Sequence, residues 1–296
     1  MDVGSVKSKT VRVKPAPVTS QEIEMPQELI NINESITIIF DQWKKSGVLF
    51  LAAMPHESCY RMAQPLPKKP NSDDYEINLH EPCDLCKKGR VILNEMYEDQ
   101  QFKKACESFR CKFNPPITVN YANAKDHVPR DKSSIRTLKE RSILVFHQMP
   151  HTHSPWRLVE HTAMGVARNL NHFPSKHGVS KHCSPRMIEH QENLAFEQHC
   201  EHAAGECAQA NKEQNPPNAN APRNLDCLYL RPTNIQQGGH ELLHLAANRV
   251  INCRHIIRIP MSTSVIEKVH ALSLKEGMPF GLKIENKIGA ILYYSV

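Results

Sequence analysis

Two cysteines, Cys83 and Cys86, have the Cys-x-x-Cys spacing that brings two thiolates to one metal ion. A structural zinc site needs four ligands, and the nearest further candidates are His80, Cys106 and Cys111. No second closely spaced pair of cysteines accompanies the first. A zinc site and a set of free thiols are therefore both open interpretations, and the lack of a second pair favours free thiols.

Three basic residues, Lys132, Arg136 and Lys139, have the i, i+4, i+7 spacing that places side chains on one face of a helix. A cationic stripe of this kind can lie along the phosphates of a nucleic acid, and the affinity of such contacts falls steeply with salt. The alternative is an ordinary charged helix face in contact with water. The spacing alone leaves both interpretations open.

The elements that would position these residues follow from the apolar pattern. A β-branched run at 36–40 and an apolar run at 47–51 predict a hairpin, and residues 117–121 predict another strand. Residues 55–80 are polar and rich in proline, and we expect a loop there. Helical periodicity predicts four helices, at 102–109, 133–145, 157–170 and 265–274.

The composition excludes several classes of protein. Of 296 residues, 40% are hydrophobic and 23% are charged, which argues against full disorder. The longest apolar run, 48–54, is much shorter than the roughly 20 residues of a membrane helix, so we expect no membrane partner. Ten cysteines without regular spacing or a secretory signal predict reduced thiols in an intracellular protein of the nucleus or cytoplasm. The net charge of +6 is compatible with an anionic partner.

Four groups of short motifs occur in order along the chain. They are DHVP and IRTLKER at 126–141, HFPSKHGVS and SPR at 172–186, LYLRPT and QGGH at 228–240, and IPM with VI and Val269 at 259–269. In this order and spacing they resemble the integrase region of copia-type retrotransposon polyproteins. The resemblance covers about residues 30–285, and the match is poorest over 55–95.

The resemblance implies an α/β fold, with a ribonuclease-H-like mixed sheet and flanking helices followed by a small all-β barrel-like domain. The lack of large apolar residues between Phe196 and Asn224 independently indicates a linker. The expected organisation has four parts: an extended lead-in at 1–34, the ribonuclease-H-like integrase core at 35–192, a polar linker at 193–224, and the barrel-like domain with a terminal helix at 225–296.

The resemblance also implies a catalytic site in which an Asp, Asp, Glu set holds two metal ions. Asp41, which follows the first predicted strand, matches the first position, and Asp99 matches the second. Strand transfer replaces one phosphate oxygen by another, and two divalent ions about 4 Å apart activate the attacking oxygen and neutralise the leaving one. Mg²⁺ or Mn²⁺ would be bound by carboxylate oxygens. We therefore expect Asp41 and Asp99 to meet at neighbouring strand ends as catalytic metal ligands.

The third position of the set lacks its carboxylate. Counted back from residues 135–137, the family's Glu falls on position 130 or 132, where this chain has Arg130 and Lys132. A basic side chain repels a metal ion and has no lone pair to offer it. Asp131 is adjacent, but a shift of one residue turns a helical side chain by about 100°, so only a slipped register at the helix start would bring it inward.

The sequence thus predicts an integrase-like protein that binds DNA, assembles as a homo-oligomer, and is catalytically impaired in metal-dependent DNA strand transfer. Mg²⁺ or Mn²⁺ is expected as a cofactor only to the extent that this activity remains. The alternative is a non-enzymatic nucleic-acid-binding or scaffold remnant of a retroelement.

Overall fold

The computed structural model describes residues 20–33, 35–88, 92–99, 102–112, 116–122, 129–195, 200–211, 224–233, 239–286 and 289–295. The first seven strands are β1 (Ser20–Glu22), β2 (Ser35–Lys45), β3 (Val48–Pro55), β4 (Met62–Leu66), β5 (Ile92–Asp99), β6 (Thr118–Ala122) and β7 (Glu192–Leu194). The other seven are β8 (Cys207–Asn211), β9 (Asn224–Pro232), β10 (His240–His244), β11 (Arg249–Cys253), β12 (Ile256–Arg258), β13 (Leu282–Glu285) and β14 (Ile291–Ser295).

Seven helices accompany these strands in the described ranges. They are α1 (Gln27–Asn33), α2 (Ser72–Lys88), α3 (Lys103–Arg110), α4 (Pro129–Gln148), α5 (Trp156–Leu170), α6 (Pro185–His190) and α7 (Thr263–Lys275). All four helices predicted from periodicity are present, as α3, α4, α5 and α7. Within the part of the chain that the structure describes, no helix has the length and apolar character needed to cross a membrane.

The first sheet is mixed. Strands β2, β3 and β4 are antiparallel neighbours, while β5 runs parallel to β2 and β6 runs parallel to β5. This part of the sheet therefore has the order β4-β3-β2-β5-β6. The C-terminal strands β13 and β14 join the same sheet, because β13 pairs with the last two residues of β2. A mixed sheet was expected from the sequence, but the return of the chain end to it was not.

A tight turn sets the register of the β2–β3 hairpin. Lys45 pairs with Val48, which leaves only Ser46 and Gly47 in the turn. Both turn residues have positive φ, 46° and 86°, as a two-residue turn matched to the twist of the strands requires. The predicted hairpin is present, with longer strands than the apolar runs alone indicated.

Helices cover both faces of the first sheet, because its strands are apolar on both sides. One face packs Ile38 and Phe40 against α2 and α3, where Leu79 and Phe109 are fully buried. The other face packs Trp43 and Phe50 of the hairpin, together with the end strand β13, against α4 and α5. Residues along β2 thus alternate between the two cores. Its even-numbered residues face α2 and α3, and its odd-numbered residues face α4 and α5.

The second sheet is antiparallel and contains five strands in the order β11-β10-β9-β8-β12. Its inner face packs against α7 through Val265 and Val269, and against α5 through Leu158. Strands β11 and β12 are its two edges, and the described residues show no pairing between them that would close a barrel. The expected all-β unit is therefore present as an open sheet.

Two predicted boundaries differ from the structure. The predicted linker, 193–224, includes strand β8, which pairs along its whole length with β9. Its buried apolar residues are small (Cys207, Ala208 and Ala210), and the fourth buried residue is the polar Gln209, so no run of large apolar side chains revealed a strand. The predicted domain 225–296 is also divided, since β13 and β14 belong to the first sheet.

The prediction of a loop at 55–80 is wrong, because β4 and the first half of α2 lie within this range. Pro65 is compatible with β4 because this strand is at the edge of the sheet, where a missing N–H is tolerated. At the start of α2, the Asn71 side chain accepts a hydrogen bond from the backbone of Asp74 at 2.9 Å, and the Asp74 side chain accepts one from Asn71 at 2.8 Å. This reciprocal cap is the sequence signal that the prediction overlooked.

Candidate functional site

The parallel pairing of β2 and β5 places Asp41 and Asp99 at corresponding positions of two neighbouring strands. The last registered pair joins Ile39 to Tyr97, and each aspartate follows two residues later in its strand. Neighbouring strands lie about 5 Å apart, and residues two positions apart share a face of the sheet. Positions 41 and 99 are thus on one face of the sheet, beside the end of β5. Asp41 itself lies inside β2, opposite Ala52 of β3, and does not follow the strand as expected. The side chain of Asp99 lies outside the described part of the structure.

Asp41 lies on the face of the sheet that α4 covers. It lines a small cavity together with Ser134, Ile135 and Leu138 of that helix. Its Oδ1 accepts a hydrogen bond from the backbone N–H of Gln42 at 2.7 Å. The carboxylate therefore lies between β2 and the helix that was predicted to supply the third acidic position.

The first half of α4 lies beside Asp41, because Ser134, Ile135 and Leu138 line the same cavity as this carboxylate. The helix begins at Pro129. A proline is well suited to the first turn of a helix, because the N–H that it lacks has no helical partner there. The positions where the family's glutamate was expected, 130 and 132, are thus in the first turn of this helix.

The buried residues of α4 show which side of this helix faces the sheet. Ser134, Ile135 and Leu138 are all buried, and position 131 lies three and four residues before the first two. Helical geometry puts position 131 on the sheet-facing side and turns positions 130 and 132 by about 100° to either side of it. The expectation for Asp131 stays a prediction. The side chains of 130–132 are outside the described residues.

The two described residues of the predicted basic stripe, Arg136 and Lys139, differ in their exposure to solvent. Arg136 has 80% of its side chain exposed, and its Nε donates a hydrogen bond to Glu140 Oε1 at 2.8 Å. Lys139 is half-buried, and burial lowers the pKa of its ammonium while the negative charge of Asp41 opposes that shift. Lys139 thus lies where it can neutralise Asp41 rather than on the outer surface. The side chain of Lys132 lies outside the described part.

The described side chains do not by themselves form a site for Mg²⁺ or Mn²⁺. No group of three His, Cys, Asp or Glu among them is arranged to hold a metal ion. At the sheet end, a divalent cation bound to Asp41 would also face the ammonium of Lys139. Hard cations take several oxygen ligands, so one described carboxylate next to a cationic side chain is an incomplete set. No metal-dependent step follows from these residues alone.

The candidate zinc ligands are distributed over a helix pair rather than gathered around one point. Cys83 and Cys106 are both buried in the core between α2, α3 and the first sheet. Cys111 is exposed, and the ring of His80 packs edge-on against Phe109 with centroids 4.8 Å apart. The side chain of Cys86 is outside the described residues. Buried thiols of this kind behave as small apolar side chains.

Sequence reasoning assigned no role to Arg168 and Arg186, although Arg186 belongs to one of the quoted motifs. Both side chains have buried guanidinium nitrogens without a hydrogen-bond partner in the structure. A lone arginine at helical spacing carries no sequence signal of burial, which explains why neither was singled out.

Comparisons with known proteins give a similarity to solved structures but none to a family model or a curated protein. No family model matches the chain, and no curated protein matches it. Among solved structures, the catalytic core domain of BIV integrase is similar over 52% of this chain and 92% of that chain, with a TM-score of 0.36 and 14% sequence identity. The strand order and the pairing register of this chain define its fold.

Proposed function

We propose that this chain is an integrase-like, nucleic-acid-binding protein derived from a copia-type retroelement polyprotein, with little or no remaining DNA strand-transfer activity. The observation that carries the proposal is the register of β2 and β5, which puts Asp41 and Asp99 at matching positions on one face of the sheet. Supporting it, the three antiparallel strands followed by two parallel ones have the order expected of a ribonuclease-H-like core.

The start of α4 supports the loss of activity. Its first turn contains Arg130, Asp131 and Lys132 where the family resemblance predicts one catalytic Glu. Two of these side chains are cationic, and a cation next to the aspartates weakens the binding of Mg²⁺ or Mn²⁺. Asp131 is the one carboxylate of the three, and its position on the sheet-facing side makes it the candidate for any residual metal binding.

The position of Lys139 favours the alternative, a non-enzymatic nucleic-acid-binding or scaffold remnant. A lysine beside Asp41 supplies the positive charge that a metal ion would otherwise provide. In that case the sheet end is a structural feature, and DNA binding depends on exposed cations such as Arg136. For both candidates we propose DNA as partner, self-association, and a nuclear or cytoplasmic location.

A strand-transfer assay with the purified chain tests the proposal. Labelled duplex DNA that carries element ends is incubated with the chain in Mg²⁺ or Mn²⁺, and bound DNA and joined products are both quantified. We expect DNA binding with trace products that disappear in Asp41→Asn. Abundant products would contradict the loss of activity, binding with no Asp41-dependent product would favour the scaffold alternative, and absence of DNA binding would contradict both.

A further inference from the structure

A cleft of about 840 Å³ lies between helices α4 and α5 and the second sheet, away from Asp41. Its walls are the end of α4, the second half of α5, residues 200–207, strand β9 and residues 258–261. The volume is within the range of roughly 300–1,000 Å³ that small-molecule sites occupy. Along α4, residue 134 beside Asp41 and residue 148 at the cleft are separated by about 20 Å, so the two places are distinct.

Arg168 lines this cleft with an unused hydrogen-bonding edge. Its Nη1 donates to the backbone oxygen of Pro232 at 2.8 Å. Its Nε and Nη2 are buried and have no hydrogen-bond partner. These two nitrogens form the side-on edge of the guanidinium, the edge that binds two oxygens of a phosphate or carboxylate at once. A buried charged donor without a partner is costly, so this edge favours an anionic ligand.

The charges closest to Arg168 also favour an anion, and the carboxylate that lines the cleft, Glu206, is paired with Arg258 at 2.8 Å. Burial, and to a lesser extent the charge of Arg186, lower the pKa of Arg168 to about 10. The groups that oppose this shift most are the Cys200 thiol and the Tyr229 phenol. Burial raises the pKa of both, so neither is ionised at neutral pH. The nearby Arg231 is engaged by Glu241, with Nε 2.5 Å from the carboxylate, and adds a further cation.

We propose that Arg168, supported by the charge of Arg186, binds the phosphate group of a nucleotide in this cleft. The apolar side chains of Met149, Ile259 and Met261 line the same cleft and offer a surface for the base. The proposal rests on the donors and charges of this cleft and is independent of the function proposed for the sheet end.

Entry of the phosphate requires a small rearrangement. The Arg168 donors are out of contact with water in this structure, so neighbouring side chains must shift before an oxygen can reach them. Cys200 is a natural candidate, because it lines the cleft and its thiol makes a long contact of 3.4 Å with Asn169 Oδ1. A thiol hydrogen bond of this kind is weak and is readily exchanged for a charged one.

Equilibrium titration of the full chain tests the site with three probes: inorganic phosphate, a nucleoside 5′-monophosphate and the matching nucleoside. We expect the monophosphate to bind most tightly, phosphate more weakly, and the nucleoside weakest. Arg168→Gln should reduce the affinity for the monophosphate at least tenfold, since it removes charge-assisted hydrogen bonds. Arg249→Gln, an identical change at an exposed position of β11, should leave it within twofold.

The variants also separate binding from folding. Without ligand, Arg168→Gln should be at least as stable as the parent chain, because it removes a buried charge without a counterion. With saturating monophosphate the parent should gain stability and the variant should not. If Arg168→Gln fails to fold, Arg186→Gln takes its place in the titration, with a smaller loss expected.

Three results would overturn the proposal: no binding of the monophosphate, equal binding by the parent and the Arg168 variant, or equal losses in the Arg249 control. Phosphate binding as tight as monophosphate binding would keep an anion site and overturn its assignment to a nucleotide.

Discussion

At the scale of single residues, Lys139 bears most directly on the chemistry of the sheet end. Because its ammonium lies near Asp41, it should repel a divalent cation from that carboxylate. We predict that Lys139→Met raises the affinity for Mn²⁺ about fivefold, on the order of 1 kcal/mol for a pair at a partly exposed site. Electron paramagnetic resonance of free Mn²⁺ measures this directly.

Two further variants identify the site responsible for that change. Lys139→Arg keeps the charge and should bind Mn²⁺ as the parent chain does. Adding Asp41→Asn to Lys139→Met should abolish the gain. If the gain persists without Asp41, or if Lys139→Arg shows it as well, the ammonium of Lys139 does not act on this carboxylate.

Glu189 is a second residue whose surroundings give a testable consequence. Its carboxyl is buried, and burial raises its pKa to about 7 although the Ser58 hydroxyl donates a hydrogen bond to Oε1. The folded state therefore holds a proton that the unfolded state releases near pH 4.5, and stability should fall as pH rises from about 4.5 to 7. The total effect is on the order of 3 kcal/mol.

Replacement by glutamine removes this titration and keeps an acceptor for Ser58. We predict that Glu189→Gln gains stability over the parent as pH is raised from 5 to 8, as measured by urea unfolding at each pH. The exposed Glu140→Gln should show no such pH-dependent difference. A constant offset between Glu189→Gln and the parent at all pH values would contradict the burial of an ionisable proton at this position.

At the scale of elements, two glycines make a matched test of the hairpin and of α5. Gly47 has a φ of 86° in the β2–β3 turn, Gly165 lies inside α5, and no atom lies within 4 Å of a Cβ added at either one. Gly47→Ala should therefore destabilise the chain by about 1 kcal/mol through backbone strain alone. Gly165→Ala should stabilise it by about 0.5–1 kcal/mol, because alanine favours the helix. Thermal unfolding that shifts both variants in the same direction would exclude this explanation.

The elements that the sequence predicted are those whose signal is local. The hairpin and helices α3, α4, α5 and α7 each show apolar residues at a strand or helix period. Strand β8 was missed because its buried apolar side chains are small, and α2 because prolines obscured its cap.

At the scale of the whole molecule, long-range pairing produces what no local pattern contains. The chain returns from the second sheet to pair β13 with β2, which joins residues about 240 positions apart. Helix α5 contacts both sheets, since Val159 and Ala163 pack on the first and Leu158 on the second. The cleft with Arg168 exists only because of this arrangement, and so it could not be predicted from the order of residues.

The net charge of +6 and the basic positions 132 and 136 of α4 lead to a last prediction, about DNA binding by the intact molecule. If the outer face of α4 lies along phosphates, each contact contributes about −0.9 to the slope of log K against log salt. The double variant Lys132→Gln/Arg136→Gln should therefore make that slope shallower by up to about 2 and weaken binding at low salt. Fluorescence anisotropy of labelled duplex DNA over a range of salt concentrations measures both.

A control pair with the same loss of charge decides whether the face or merely the charge is responsible. Arg249→Gln/Lys268→Gln removes two exposed cations from the second sheet and α7. It should leave the slope nearly unchanged, because its residues lie on other elements and net charge acts only weakly beyond a Debye length of about 8–10 Å. If both pairs change the slope equally, DNA is attracted by the overall charge, and the α4 face has no special part in recognition.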